Sequence, residues 1–158
     1  MSVNKPKKSH EAFSLPELMV AIGIIGFLTA IAAYTYPTYS VKSQITAANQ
    51  ILDSYILAIQ DFYTENSMMP ASKPASMANY SPTSNDPISS ISFSWGTSPS
   101  VTANFGSNAS KILQNNSITV QLVINNGNSS TAGNGMFITT CTAPSIPNDY
   151  LPDKCKHA

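Results

Sequence analysis

Arginine is absent from this chain of 158 residues, and charge of either sign is scarce: eight Lys and eight Asp or Glu make up 10% of it. Three of the lysines, Lys5, Lys7 and Lys8, sit together near the start, and the other five, Lys42, Lys73, Lys111, Lys154 and Lys156, are scattered. A nucleic-acid-binding face needs clustered Lys and Arg to displace counterions from phosphates, so nucleic acid is not indicated as a partner. Histidine is confined to His10 and His157, and cysteine to Cys141 and Cys155 with no Cys-x-x-Cys spacing, which argues against a zinc centre or a redox pair. No metal site and no cofactor are called for. A hydrolase or transferase would need a nucleophile with a positioned base, paired carboxylates or metal ligands. The chain offers scattered acids and a Ser-rich composition in which Ser clusters with Asn and Gly as turn residues, so it reads as a protein without a catalytic set.

What the chain does have is an uncharged stretch of 24 residues, Leu18 to Val41, long enough as a helix to cross a bilayer at 1.5 Å per residue. One acid, Glu17, stands at its head. A carboxylate in a membrane-spanning helix costs roughly 2.5–3.5 kcal/mol at the bilayer centre, so it marks a site with a partner. The alternative explanation, an acid favoured by the dipole of a first helical turn, supplies only about 0.3–1 kcal/mol. Pro16 lacks an N–H and pushes the residue before it out of the helical region, which makes Leu15 the expected cap and leaves the preceding residues extended. A basic start, an apolar run and Ala30-Ile31-Ala32 also fit an ordinary secretory signal that would release a soluble domain from Ala33. The acid at the front of the run, and the continuation of the run to Val41, argue against that reading.

The segment Ala12-Phe13-Ser14-Leu15-Pro16-Glu17-Leu18, followed by Met-Val-Ala-Ile-Gly-Ile-Ile-Gly-Phe-Leu, resembles the class III signal sequence of type IV prepilins and type II secretion pseudopilins. The resemblance implies cleavage by a membrane prepilin peptidase between Ala12 and Phe13, N-methylation of the new N-terminal Phe13, and an assembly role for Glu17. Ala12 stands where the family nearly always has Gly. The tail Cys141 through Asp149-Tyr150-Leu151-Pro152-Asp153-Lys154-Cys155 resembles the disulfide-bounded loop of type IVa pilins, and in an exported protein a Cys141–Cys155 bridge is the natural reading. In the resembled family a proline precedes the position of Pro37 by a few residues, and the helix loosens after a glycine matching Gly26 when filaments form. Tyr36, Tyr39 and Lys42 resemble the family's tyrosine pair and basic residue, and also suit a membrane interface.

Beyond Val41 the periodicity continues while the polarity changes. Val41, Ile45, Ala48, Leu52, Tyr55, Ile59 and Phe62 recur at steps of four and three, with Gln44, Asn49, Gln50, Asp53, Gln60 and Asp61 between them. This is an amphipathic helix whose stripe faces a core. Joined to the apolar part, it predicts one helix from about Phe13 to Glu65, bent where Pro37 removes a hydrogen bond. Gly26, Ala30 and Ala33, with Gly23 a turn before, mark a face where neighbouring backbones approach closely. From Asn66 to Pro87 four prolines among Ser, Met and Asn predict a long surface loop. Then the period becomes two: Ile91, Phe93 and Trp95; Val101–Phe105; Ile118, Val120, Leu122 and Ile124; and Met136–Cys141 make four strands, with a short helical turn at Lys111–Leu113. Trp95 belongs to the core on this reading. The sequons at Asn79, Asn108, Asn115 and Asn128 are expected by chance in so Asn- and Ser-rich a chain.

The fold class is α+β, a long N-terminal helix on a four-stranded antiparallel sheet. Residues 1–12 are a leader, 13–41 the hydrophobic membrane or filament-core helix, and 42–158 a globular head. With the resemblance, this implies a structural subunit of a type IV pilus. It would polymerise with other subunits through its hydrophobic helix, be handled by prepilin peptidase and inner-membrane assembly machinery, and pass from the inner membrane to an extracellular pilus. A secretion pseudopilin is the alternative, in which a calcium site often replaces the disulfide loop; a secreted soluble binding domain is the third.

Overall fold

In the computed structural model, residues 13–125 and 136–157 are described, and two compact units divide between Pro37 and Thr38. The elements run α1 (Leu15–Asn66), β1 (Ile88–Ser94), β2 (Ser100–Phe105), β3 (Ser117–Asn125), β4 (Met136–Thr142), then a short 3₁₀ turn at Asp153–Cys155.

Helix α1 starts differently from expectation. The cap is Ser14 and not Leu15: the Glu17 N–H donates to Ser14 Oγ at 3.4 Å, and the Leu18 N–H closes the first helical turn on the Ser14 carbonyl at 3.2 Å. Pro16 then sits in the first turn, where its missing N–H leaves no bond unmade. The helix is assigned without a break through both Gly26 and Pro37. Its end is a left-handed residue, Ser67 (φ 56°), whose N–H bonds to the Tyr63 carbonyl at 2.7 Å. This is the single-bond termination that usually recruits Gly.

The second unit buries the stripe that the periodicity picks out. Val41, Ile45, Ala48, Leu52, Tyr55 and Ile59 are buried, while Phe62 is half-buried. Opposite them lie Val101, Ala103 and Phe105 of β2 and Ile118, Val120 and Leu122 of β3, all in one core cluster. The sheet is an antiparallel meander in the order β1-β2-β3-β4. Register pairs Val101 with Val120 and Ala103 with Ile118 on the inner face. On the outer face Ser92, Thr102, Thr119 and Thr142 fall in one row across the four strands, and the Thr102 and Thr119 hydroxyls bond at 2.8 Å. Such cross-strand pairs hold an alternating register against slippage.

Strand β1 begins earlier than the aromatic alternation suggests and carries a bulge between Ile88 and Ser90. Gly106 serves that bulge: its N–H bonds to the Pro87 carbonyl at 2.8 Å, and a Cβ there would meet Ser89 Cβ at 2.9 Å. Trp95 falls just past the strand, half-buried against the core, stacked on Phe93 at 5.4 Å between ring centroids. Phe93 in turn meets Tyr55 edge-on at 5.2 Å. The predicted helical turn appears as a hydrogen-bonded turn around Lys111–Asn115 that buries Leu113. The connection from α1 to β1 is a loop but more than a surface one. Met77, Pro70 and Pro74 are buried, because the Tyr55 hydroxyl donates to the Ala78 carbonyl (3.3 Å) and the Tyr80 hydroxyl to that of Ile88 (3.3 Å), drawing aperiodic apolar residues onto the core.

Candidate functional site

Two places were singled out by sequence, the head of α1 and the C-terminal cysteine pair. At the first, Ala12 lies outside the described residues, and Phe13 is 81% exposed. Ser14 and Glu17 form a reciprocal pair: besides the backbone bond, the Ser14 hydroxyl reaches the Glu17 carboxylate at 3.5 Å. This is the Ser-x-x-Glu spacing of a capping box with one of its two bonds made: Ser14 takes the Glu17 N–H, while the carboxylate takes the Ser14 hydroxyl in place of its backbone N–H. The signal was present in Ser14-Leu15-Pro16-Glu17, and reasoning from proline alone passed over it. Glu17 is nonetheless exposed, and the pair leaves one carboxylate oxygen without a partner among the described residues.

From Leu15 to Ala33 the helix is long and apolar enough to cross a membrane, and none of this window is buried in the fold. The 19 residues span about 28 Å, close to the hydrocarbon thickness of a bilayer. The uncharged stretch runs on past this window to Val41, through Tyr34, Thr35, Tyr36 and Tyr39. The window's one hydroxyl is turned inward on the backbone: Thr29 donates to the carbonyls of Ile25 (3.0 Å) and Gly26 (2.9 Å). A polar group satisfied within its own helix adds little to the cost of an apolar surrounding. Around Gly23 and Gly26 an added Cβ would meet nothing within 4 Å, so that surface is open.

At the second place Cys141 and Cys155 are bridged, with Cα atoms 4.6 Å apart. Cys141 lies within β4 and Cys155 in the 3₁₀ turn, so the bridge ties the end of the chain to the edge of the sheet. The loop between them has its own buried residues, Ala143, Ile146 and Leu151. Lys154 pairs with Asp53 of α1 at 3.0 Å, both about half exposed, a contact worth about 0–1 kcal/mol. One residue the stripe had placed among the outward polar positions, Asn49, is instead buried beside the bridge; it is the only buried polar side chain among the described residues. A one-letter pattern gives no sign of this, because Asn49 sits next to Ala48 at the edge of the stripe and is covered only by the distant C-terminal loop. Of the sequons, Asn108 is engaged with the Ser84 carbonyl at 2.7 Å, and Asn128 lies outside the described residues.

Residues 41–156 match the family described as pilin (bacterial filament), and residues 7–33 match the prokaryotic N-terminal methylation motif. The chain belongs to the pilin family. It is similar to the fimbrial protein EcpC of Eikenella corrodens, 30% identical over 155 residues that cover 96% of this chain and 94% of that protein. It is also similar to the type IV major pilin protein PilE1 of Neisseria gonorrhoeae, 30% identical over 70 residues, 44% of this chain and 33% of that protein. A fimbrial protein of Neisseria meningitidis is 29% identical over 62 residues, 39% of this chain and 36% of that protein. The pilin match spans the sheet and the bridged tail, and the methylation motif spans the head of α1, so both singled-out places fall inside the resemblance.

Proposed function

We propose that this pilin is a structural subunit of a type IV pilus, made as a precursor held in the inner membrane by α1 and then drawn into an extracellular filament. Prepilin peptidase cuts between Ala12 and Phe13, the new amine of Phe13 is methylated, and the apolar surface from Leu18 to Val41 passes from lipid into the packed interior of a polymer of like subunits. The observation that carries this reading is an apolar helical segment with no cover of its own, headed by a single acid. A surface apolar all round belongs either in lipid or against copies of itself. Glu17 of an incoming subunit pairs with the free amine of Phe13 on its neighbour, which gives both charges a partner in an environment where each alone is costly.

The test is to shear filaments from the cell surface, identify their subunit and measure the mass of its N-terminus. A methylated Phe13 in the dominant filament subunit is the expected result. A soluble protein beginning at Ala33 would overturn it. Processing adds a second check: Ala12→Gly should mature as well as the native chain or faster, since both residues suit a small subsite, whereas Ala12→Leu should accumulate as precursor. Normal maturation of the Leu variant would show that the bond has been misassigned.

A further inference from the structure

We propose that the Cys141–Cys155 bridge is a reducible latch on the C-terminal loop, and that Asn49 sets how readily it opens. Asn49 is 6% exposed, on the face of α1 that meets that loop. Its Oδ1 lies 4.0 Å from Sγ of Cys141 and 3.9 Å from Sγ of Cys155, and its Nδ2 is buried with no partner among the described residues. Sulfur can donate to that oxygen only while it carries a hydrogen. In the bridged protein neither sulfur does, and a buried amide left without bonds is destabilising. In the reduced chain both thiols face one oxygen with two lone pairs, so the same amide gains what the bridge denies it. Because the oxygen bonds only the protonated thiols, it lowers the free energy of the dithiol relative to the disulfide. The reduction potential of the pair is raised by the same amount. A bridge meant to stay closed would be better served by an apolar residue of similar volume, and the nearby stripe positions Ala48 and Leu52 are apolar and fully buried.

Burial sets the direction of attack. Cys155 is 1% exposed, while Cys141 is half-buried in the edge strand β4, so a low-molecular-weight thiol reductant meets the Cys141 sulfur. The reductant's thiolate attacks Cys141 Sγ and the sulfur–sulfur bond breaks. Cys155 leaves as a thiolate, takes a proton from solvent and turns its S–H to Asn49. A second thiolate then attacks the reductant's sulfur in the mixed disulfide and expels Cys141, which is protonated in the same way. One protein disulfide is reduced to two thiols, and two reductant thiols are oxidised to one disulfide. The opened loop loses its covalent tie to the sheet edge but keeps the Lys154–Asp53 pair at 3.0 Å and the buried Ile146 and Leu151. It is loosened, not cast off, and can close again.

The proposal does not depend on filament assembly. The full-length chain in detergent micelles is equilibrated in dithiothreitol redox buffers of graded ratio, then sampled by acid quench, alkylation and mass measurement. Asn49→Leu should need an about tenfold more reducing ratio to open, the equivalent of one net hydrogen bond and a potential about 30 mV more negative. The thermal midpoint of the oxidised variant should stay level or rise, while that of the reduced variant falls. An unchanged potential would overturn the proposal, because a merely structural Asn49 would shift both midpoints together. A less negative potential would overturn it too, since the amide would then be turning its N–H to the sulfurs. Should near-ultraviolet circular dichroism find reduced Asn49→Leu unfolded, the infrared S–H stretching band of the reduced native chain decides. Cys141 and Cys155 are the only cysteines, so that band reports these two thiols alone. It should lie at lower frequency than the band of a thiol in an apolar solvent, and a band at the unbonded position would overturn the proposal.

Discussion

Between Leu15 and Ala33 the large side chains of α1 are open, Ile22, Ile24, Ile25 and Phe27 each at least 55% exposed, whereas between Val41 and Ile59 of the same helix Ile45, Leu52 and Ile59 are at most 1% exposed. Isoleucine and leucine serve in both places, so residue type does not separate them. The spacing of what lies between does. In the second stretch polar residues (Lys42, Ser43, Gln44, Thr46, Gln50, Asp53, Ser54) take most positions off the stripe, Leu57 being the large exposed exception, which leaves one face for one sheet; in the first, apolar residues occupy all sides, and a single sheet could cover only some of them. A helix apolar all round therefore announces a partner that its own chain does not provide, and Glu17, the one acid at its head, is where the proposed pairing with that partner is to be tested.

The largest expected effect breaks the comparison at the first stretch. Glu17→Leu makes the segment more apolar and removes a charge from lipid, so the subunit should remain folded, cleaved and membrane-inserted. Surface filaments should nevertheless fall tenfold or more, roughly what loss of a buried ion pair of a few kcal/mol implies. Glu17→Asp, with its carboxylate drawn back by one methylene, should fall between the two. Filament yield measured against total mature subunit is the readout. A native yield from Glu17→Leu as the only copy would leave Glu17 with no role beyond the cap it shares with Ser14.

Truncating one apolar side chain in each stretch sharpens the same contrast. Leu52→Ala should destabilise the isolated subunit by about 2–5 kcal/mol, because Leu52 is fully enclosed and leaves a cavity. Ile24→Ala should change that stability by no more than about 0.5 kcal/mol, since nothing in the fold packs on it. Denaturant titration of the detergent-solubilised protein compares the two. Equal losses would mean that the first stretch has a covered side chain after all.

Next comes the bridge, which belongs wholly to the second region. Cys141→Ser or Cys155→Ser should cost roughly 3 kcal/mol, the chain-entropy value for a loop of this length. Less subunit should then reach the surface, although the membrane segment is untouched. A native thermal midpoint in either variant would show that the buried Ile146 and Leu151 hold the loop without the bridge.

Much of this was written in the sequence in physical terms. The switch from an all-round apolar helix to a 3.6-period stripe, and then to period two, located α1 and the four strands within a few residues, because each period has one way of facing a core. What stayed hidden rests on contacts between distant segments or on small polar side chains. Met77 is buried by the loop that carries it, and no period marks such a residue. Asn49 is covered by a tail about a hundred residues away. Ser14 was legible in principle, as a serine three residues before a glutamate, but a proline between them drew attention to the wrong residue as cap.

The smallest effect concerns alkaline pH and the two tyrosines that clamp the loop between α1 and β1. Burial pushes the Tyr55 phenol above its ordinary value near 10; for Tyr80 burial comes first, then the nearby Asp86 charge and Tyr55. The folded state thus keeps its protons where the unfolded chain has begun to lose them. Stability supplied by these groups is whole below the unfolded value and is lost as pH rises through the folded ones. Ionisation would also forfeit the clamp, since a phenolate has no hydrogen to donate to the carbonyl of Ala78 or Ile88. The thermal midpoint should be insensitive to these residues between about pH 6 and 9 and should decline above about pH 10. Tyr80→Phe should lower stability by about 1 kcal/mol at neutral pH, through the lost hydrogen bond, and make the alkaline decline shallower. Ile24→Ala, in the other region, should leave the decline unchanged. If Tyr80→Phe declines as steeply as the native protein, the alkaline loss arises elsewhere and the clamp at Ile88 contributes nothing to it.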